Sequence, residues 1–194
     1  IFFGMDQGSS ELRSSNIKGK NPLADKRVRL AMYHALDMDA IKDKVMRGQS
    51  APAGIITAPG VNGYTPERDQ RLPYDPELAK KLLAEAGYPD GFELTLDCPN
   101  DRYINDEAIC VAAIGMFAKI GVKVNLDAKT KSQHFSEVKE GDANGMTSDM
   151  YMLGWGVPTF DSHYVYSFLL KSDGSWNKVG FSDARVDELV GTML

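Results

Sequence analysis

The sequence predicts an α/β fold built on a mainly parallel or mixed sheet, and three observations predict it. Strand-like and helix-like segments alternate in the order strand, helix, strand, helix, strand between Phe92 and Trp155. A helix between Asp75 and Gly87 carries start and stop signals at both ends. The composition, 43% hydrophobic and 25% charged over 194 residues, is that of a globular chain able to bury a sizeable core. A formal net charge of -5 argues against a nucleic-acid partner, which would need a concentrated basic face. No apolar run approaches the length of a bilayer span.

The opening "IFFGMDQGSS" has a three-residue apolar start and no basic leader. It reads as a strand entered partway rather than as a secretory signal. Asp25 is placed to cap a helix to about Ala35, with Val28, Leu30, Ala31, Met32 and Ala35 at mostly helical spacing. Lys26, Arg27 and Arg29 read as the solvated face of that helix rather than as an anion site. Asp37 or Asp39 caps a second short helix through Ile41 and Val45, ending at Gly48. Residues 49–74 hold proline and glycine too often for a regular element. They form an extended connection, either a long ordered loop or a lip across another surface.

The segment "YDPELAKKLLAEAGYP" is a helix capped by Asp75, with Pro76 at its first position and Glu77 in the first turn. Gly87 ends it and Pro89 prevents continuation. "FELTLDC" alternates Phe92, Leu94 and Leu96 against Glu93, Thr95 and Asp97, as a half-buried strand does. "INDEAICVAAIGMFAKIG" is an apolar-rich helix ending at Gly121, with Asp106 and Glu107 suited to its dipole. "VKVNLDA" is the second strand, "KSQHFSEVKEG" a short amphipathic helix and "DMYMLGW" the third strand. A turn around Lys171 to Ser175 and a helix from about Asp183 follow; that helix reads as cut before its cap. Cys98 ends the first of these strands and Cys110 sits in the next helix, so a disulfide and two partly buried thiols both stand open.

The chain lacks a glycine-rich phosphate cradle between a strand and a helix, and it lacks a G-x-S-x-G nucleophile elbow. His34, His134 and His163 lie far apart, without metal-ligand spacing to each other or to the cysteines. His134 reads as cover for its short helix, and His34 as a core or interface residue. Neither a catalytic group, a metal site nor a cofactor site is expected.

Ligands of α/β sheets favour the crevice beyond the carboxyl ends of the strands. That selects two loops, "CPNDRYIND" after the first strand and "GWGVPTFDSHYVY" after the third. In the second, Trp155 is flanked by Gly154 and Gly156, which leave space around its ring, and Asp161 follows. Aromatic groups beside a carboxylate suit an organic ligand with polar or cationic groups. Trp155 is read evenly as ligand surface or core plug; for Tyr164, Tyr166 and Phe168 the core is preferred. Asn100, Asp101 and Arg102 would add polar contacts from the first loop. The ligand-binding set is therefore Trp155, Asp161, Asn100, Arg102 and Gly156.

Three stretches carry a resemblance: "NPLADKRVRLAMYHALDMDAI", "LPYDPELAKKLLAEAGYPDGFELTL", and the pair "IGVKVNL" and "MLGWGVPTFD". Together they resemble the large C-terminal lobe of the family 5 solute-binding proteins of ABC importers, the peptide, dipeptide and nickel binding family. The resemblance covers about Asn21 to Asp187. It implies a type II periplasmic-binding-protein-like lobe, residues 1–194, whose mixed sheet is flanked by helices and which is a fragment of a longer two-lobed protein. It implies a monomeric periplasmic or lipid-anchored receptor that captures a peptide or other small organic solute, closes on it with an N-terminal lobe and presents it to a membrane permease. It implies no catalytic residues and no cofactor. Peptide-binding relatives place an aspartate shortly after the loop tryptophan to pair with the peptide amine. The matching position here is Pro158, which can form no ion pair. Two other classes stand against this reading: a hydrolase or other enzyme of unknown reaction, and a peptide-recognition module without a transport role.

Overall fold

In the computed structural model, which describes residues 1–140 and 148–193, the centre is a four-stranded mixed sheet. Its strands are β1 (Phe2–Met5), β2 (Phe92–Pro99), β3 (Val122–Lys129) and β4 (Met150–Leu153), in the order β1-β4-β2-β3. β2 runs parallel to β3 from the Phe92–Val122 pair to the Pro99–Lys129 pair. It also runs parallel to β4, with Leu96 opposite Met150 and Asp97 opposite Tyr151. β1 joins β4 antiparallel, Phe2 opposite Leu153. The opening apolar residues thus form an edge strand, and the sheet is mixed as predicted.

The helices are α1 (Lys26–Ala35), α2 (Met38–Ala40), α3 (Pro76–Glu85), α4 (Asp106–Ala118), α5 (Lys131–Glu140), α6 (Ser162–Val165) and α7 (Ala184–Gly191). α2 and α6 each run on through a wider turn, Ile41–Val45 and Tyr166–Leu170. Gly141, the last residue of the amphipathic segment that forms α5, lies outside the described residues. Strand alternation sends side chains to two cores. Phe92, Leu94, Leu96, Cys98, Met150 and Met152 enter one core with α1, α3 and α4. α4 meets it with Ile109, Cys110, Ala113, Met116 and Phe117, a helical stripe. Tyr151 and Leu153 enter the other core, which Val138 of α5, Val165 and Leu169 complete.

The local signals act largely as read. Asp75 accepts from the Leu78 N–H at 2.9 Å, Pro76 opens α3, and Gly87 closes it at φ 93°. β2 and β3 start against each other so closely that a Cβ on Gly91 would lie 1.8 Å from the Gly121 carbonyl. Cys98 and Cys110 form a disulfide, which ties the end of β2 to α4 across a sequence separation of 12. Closing a loop of that size removes about 3 kcal/mol of denatured-state entropy in the chain-entropy picture.

Asp106 and Glu107 lie in the first turn of α4, as their fit to its dipole predicts. Asn105 precedes the helix in the left-handed region, at φ 56° and with no side-chain cap bond. One Asp106 carboxylate oxygen accepts from the Glu107 N–H at 2.9 Å, and the other accepts from the N–H groups of Arg102 (2.9 Å) and Tyr103 (2.8 Å), folding the loop back. One detail differs from the sequence reading. His134 is not a surface cover for α5. It is fully buried, and its Nδ1 meets Asp97 Oδ1 at 2.6 Å. Lys129 approaches the other Asp97 oxygen at 3.3 Å and also pairs with Asp127 at 2.7 Å and Glu137 at 2.5 Å. Partial burial alone would lower the Lys129 pKa, but its hydrogen bonds to Asp127 and Glu137 and the charge of Asp97 raise it well above the ordinary lysine value.

The Asp97–His134 pair is the polar link between β2 and α5, and neither side chain is exposed. Replacing His134 with Ala strands a buried carboxylate with Lys129 as its remaining partner. The expected loss is about 2–4 kcal/mol. Urea denaturation should report it as a lower midpoint with an unchanged slope.

Candidate functional site

Because β2, β3 and β4 are parallel, the loops that follow them leave the same edge of the sheet. The two loops selected from sequence meet there. The Tyr103 hydroxyl accepts from the Gly154 N–H at 2.8 Å and donates to the Gly154 carbonyl at 3.4 Å. The contact is close enough that a Cβ on Gly154 would lie 2.6 Å from the Tyr103 ring. The space beside Gly154 is therefore filled by Tyr103 and not left open around Trp155. Gly156 differs: it is exposed, and a Cβ there would meet nothing within 4 Å.

Trp155 is half-buried. Its ring lies 5.7 Å from Tyr164, 6.2 Å from Phe168 and 5.8 Å from Trp176. Trp176 in turn meets Phe135 of α5 edge-on at 6.3 Å. These rings cover the second core, and Trp155 packs against it. Its indole N–H is buried and has no hydrogen-bond partner among the described residues. Tyr164 and Phe168 are four residues apart along a helical segment and stack at 4.7 Å. Tyr166, two residues from each, does not join the stack, because the segment is helical and not extended.

Asn100 and Arg102 are exposed on the loop after β2. The Asn100 N–H donates to the Lys129 carbonyl at 3.0 Å, continuing the sheet ladder. The Arg102 guanidinium lies over the rings of Tyr103 at 5.0 Å and Phe135 at 6.0 Å. It is thereby brought to the rim of the aromatic cluster that contains Trp155. Asp101 accepts from the Lys131 N–H at 2.5 Å, at the start of α5.

Asp161 is a cap and a clamp. One oxygen accepts from the His163 N–H at 2.8 Å, the other from Asn62 Nδ2 at 2.8 Å. The hydrogen bond from Asn62, then that from the His163 backbone, hold its pKa below the ordinary aspartate value. Asn62 belongs to the 49–74 connection, whose backbone also pairs with this loop: Asn62 N–H to Phe160 carbonyl at 2.8 Å, Ser162 N–H to Asn62 carbonyl at 3.0 Å. The connection is closed on itself by Asp69, which accepts from the N–H groups of Gly54 (2.5 Å) and Ile55 (3.3 Å) and from the Tyr64 hydroxyl (3.2 Å). It is thus an ordered loop lying against the tryptophan loop of its own chain. Phe160 is 70% exposed and sits in the left-handed region at φ 53°. That conformation is unfavourable for a bulky residue and is held by the Asn62 contact.

A shallow hollow of about 250 Å³ lies beside Asp161, lined in part by His163, Tyr164, Ser167 and Phe168. In it the Ser167 hydroxyl meets His163 Nε2 at 2.8 Å. The nearby carboxylate, Asp161, bonds the His163 backbone and not its ring, so the arrangement is not a nucleophile–base–acid triad. Among the described residues no group of three or more His, Cys, Asp or Glu side chains is placed to hold a metal ion.

Tyr103, Asn62 and Trp176 are not singled out by the sequence. Tyr103 carried a usable signal, as the aromatic residue of a polar loop beyond a strand end. Asn62 and Trp176 carried none, because their roles depend on contacts across 99 and 21 residues.

Residues 2–177 match the sequence profile of the bacterial extracellular solute-binding proteins, family 5, middle region. The chain belongs to this family. It is 35% identical over 176 residues to heme-binding protein A of Haemophilus influenzae, which covers 88% of this chain and 31% of that protein. It is 29% identical over 178 residues to the glutathione-binding protein GsiB of Salmonella typhimurium, covering 90% of this chain and 34% of that protein. The solved structure of HbpA2 from Haemophilus parasuis superposes with a TM-score of 0.79 at 26% identity, over 98% of this chain and 35% of that one. The chain thus spans about a third of the length of the curated relatives it matches. Those family 5 relatives are named as binding proteins. Among the described residues no helix is long and apolar enough to cross a membrane.

The Asp161 clamp has a pH signature. Its folded pKa is depressed, so its stabilising contribution is complete above the unfolded value of about 3.9 and is lost as the pH falls through the folded value. The difference in thermal midpoint between wild type and Asp161→Asn should be constant above about pH 5 and close progressively below about pH 4. Scanning calorimetry of the two proteins across that range measures it.

Proposed function

We propose that residues 1–194 are one lobe of the solute receptor of an ABC importer. The receptor captures a peptide or other small organic solute outside the cytoplasm and hands it to a membrane permease. The observation that carries this reading is the meeting of the loops after β2 and β4 at one sheet edge, joined at Tyr103 and Gly154, in a chain of family 5. A second lobe supplied by the rest of a longer protein would close over this edge. The receptor works as a monomer, periplasmic or lipid-tethered, without a cofactor, and its chemistry is capture and not turnover.

The same edge favours one kind of solute. Asp101, Asp106 and Asp161 each accept hydrogen bonds from within the chain, and Pro158 stands where peptide-binding relatives carry the amine-pairing aspartate. Two cations border the rings around Trp155: the Arg102 guanidinium over Tyr103 and Phe135, and the Lys139 ammonium 5.6 Å over Trp176. A solute with an anionic group for Arg102 and a flat apolar surface for Trp155 fits that pairing better than a free peptide amine does. The relatives named for heme and for glutathione point to solutes that carry carboxylates.

Native mass spectrometry of the full-length protein, purified gently from its cell envelope, tests the reading. A small molecule retained on the folded protein and released on unfolding is expected. Titration with hemin and with reduced glutathione then tests the solute class. Trp155→Phe keeps a ring in the aromatic cluster but removes the indole face, and should weaken binding of the accepted solute by about 10-fold or more. Unchanged affinity would return Trp155 to a purely packing role.

A further inference from the structure

We propose that Tyr103 is the positioning residue of this face, locking the loop that carries Trp155 to the loop that follows β2. The inference rests on the reading of that edge as the solute-binding face, and it assigns the part that makes two separate loops behave as one surface.

The geometry is specific. Gly154 follows Leu153, the last paired residue of β4, and both its N–H and its carbonyl meet the Tyr103 hydroxyl, at 2.8 and 3.4 Å. The Tyr103 ring fills the volume that any side chain at 154 would need, 2.6 Å from a Cβ built there. A glycine at the end of a strand is otherwise a swivel, free in φ and ψ. With one hydroxyl engaging both of its polar backbone groups, it becomes a fixed joint.

Each side of the joint is itself anchored. On the Tyr103 side, its backbone N–H donates to the buried Asp106 at 2.8 Å, and the Arg102 guanidinium covers its ring at 5.0 Å. The Cys98–Cys110 disulfide closes the loop around it. On the Gly154 side, the next residue is Trp155, packed against Tyr164 and Phe168 and meeting Trp176 edge-on. The direct route from the disulfide loop to Gly154 and Trp155 thus passes through one phenol, beside the looser contact of Arg102 with Phe135. Tyr103 is half-buried, and its hydroxyl is spent on the backbone, so it acts on the solute through Trp155 and not by direct contact. Removing the hydroxyl leaves the fold intact but lets the tryptophan loop sample more positions, which binding must then re-order.

The test is hydrogen exchange read by mass spectrometry on peptides spanning Gly154 in the full-length protein, comparing wild type with Tyr103→Phe. The Gly154 amide should exchange about 5- to 10-fold faster in the variant, the loss of one hydrogen bond, while peptides from β2 and α4 keep their protection. The dissociation constant for whichever of hemin or glutathione the wild type accepts should rise by a similar factor. Unchanged exchange at Gly154 would overturn the proposal, and so would faster exchange with unchanged affinity. Uniform loss of protection across β2 and α4 would also overturn it, because Tyr103 would then support the fold as a whole. A wild-type protein that takes up neither probe counts against the receptor reading of these solutes, and the exchange rate at Gly154 then decides the clamp by itself.

Discussion

The carboxylate of Asp149 holds together three stretches that are distant in sequence. It sits immediately before β4 and is 1% exposed. One oxygen accepts from the N–H groups of Arg13 (2.8 Å) and Ser14 (3.4 Å). The other accepts from the Thr95 N–H on β2 at 2.9 Å and from the Ser14 hydroxyl. The Asp149 carbonyl also accepts from Asp6 just past β1, at 3.0 Å. Such donors would be costly to bury unpaired, so a single carboxylate sets where β4 lies against β2 and where the opening segment packs. The short parallel pairing of β2 with β4 depends on that placement. The meeting of the two loops beyond them depends on the pairing.

Local chemistry made most of the fold legible from sequence. Alternation at Phe92, Leu94 and Leu96, the Asp75–Pro76 start and the Gly87 stop are written within a few residues, and the structure uses them as read. The edge of the sheet that carries the loops was legible too, because parallel strands send their following loops the same way. What sequence did not disclose depends on long-range partners. His134 reads from sequence as cover for its short helix, and its pairing with Asp97, 37 positions away, is not visible there. Asp106 serves the first turn of α4 as its position suggests, but its second role, gathering the N–H groups of Arg102 and Tyr103, depends on how the loop folds back. The pairing of Cys98 with Cys110 needed the approach of β2 to α4, which spacing alone does not fix.

The candidate site was legible in location but not in construction. Residue types pointed to Trp155 and to the polar loop around Asn100 and Arg102, and the fold brings both to one edge. Asp161 looked like a ligand carboxylate because it lay near aromatic groups. Its oxygens are taken up by Asn62 and the His163 backbone, which makes it a fastener of the 49–74 connection. Gly154 looked like room for a ring to move, yet it is where another ring presses against the backbone. In both cases the residue type is compatible with recognition and with architecture, and the long-range partner reveals the architectural part.

These loops contain little regular structure, but each is closed by a specific contact. The disulfide bounds residues 98–110, Asp69 gathers the connection onto Gly54 and Ile55, Asn62 fastens it to Phe160 and Asp161, and Tyr103 joins Gly154. A surface made of loops usually costs conformational entropy when it engages a ligand, because flexible backbone and side chains must be ordered at that moment. Here much of that ordering is already built into the loops. The left-handed Phe160 follows from the same constraint: held by Asn62, it keeps an exposed ring in a fixed place that a free loop would abandon. Preorganisation of this kind fits the proposed receptor role, since the energy of each contact would go to holding a solute instead of to arranging the surface that holds it.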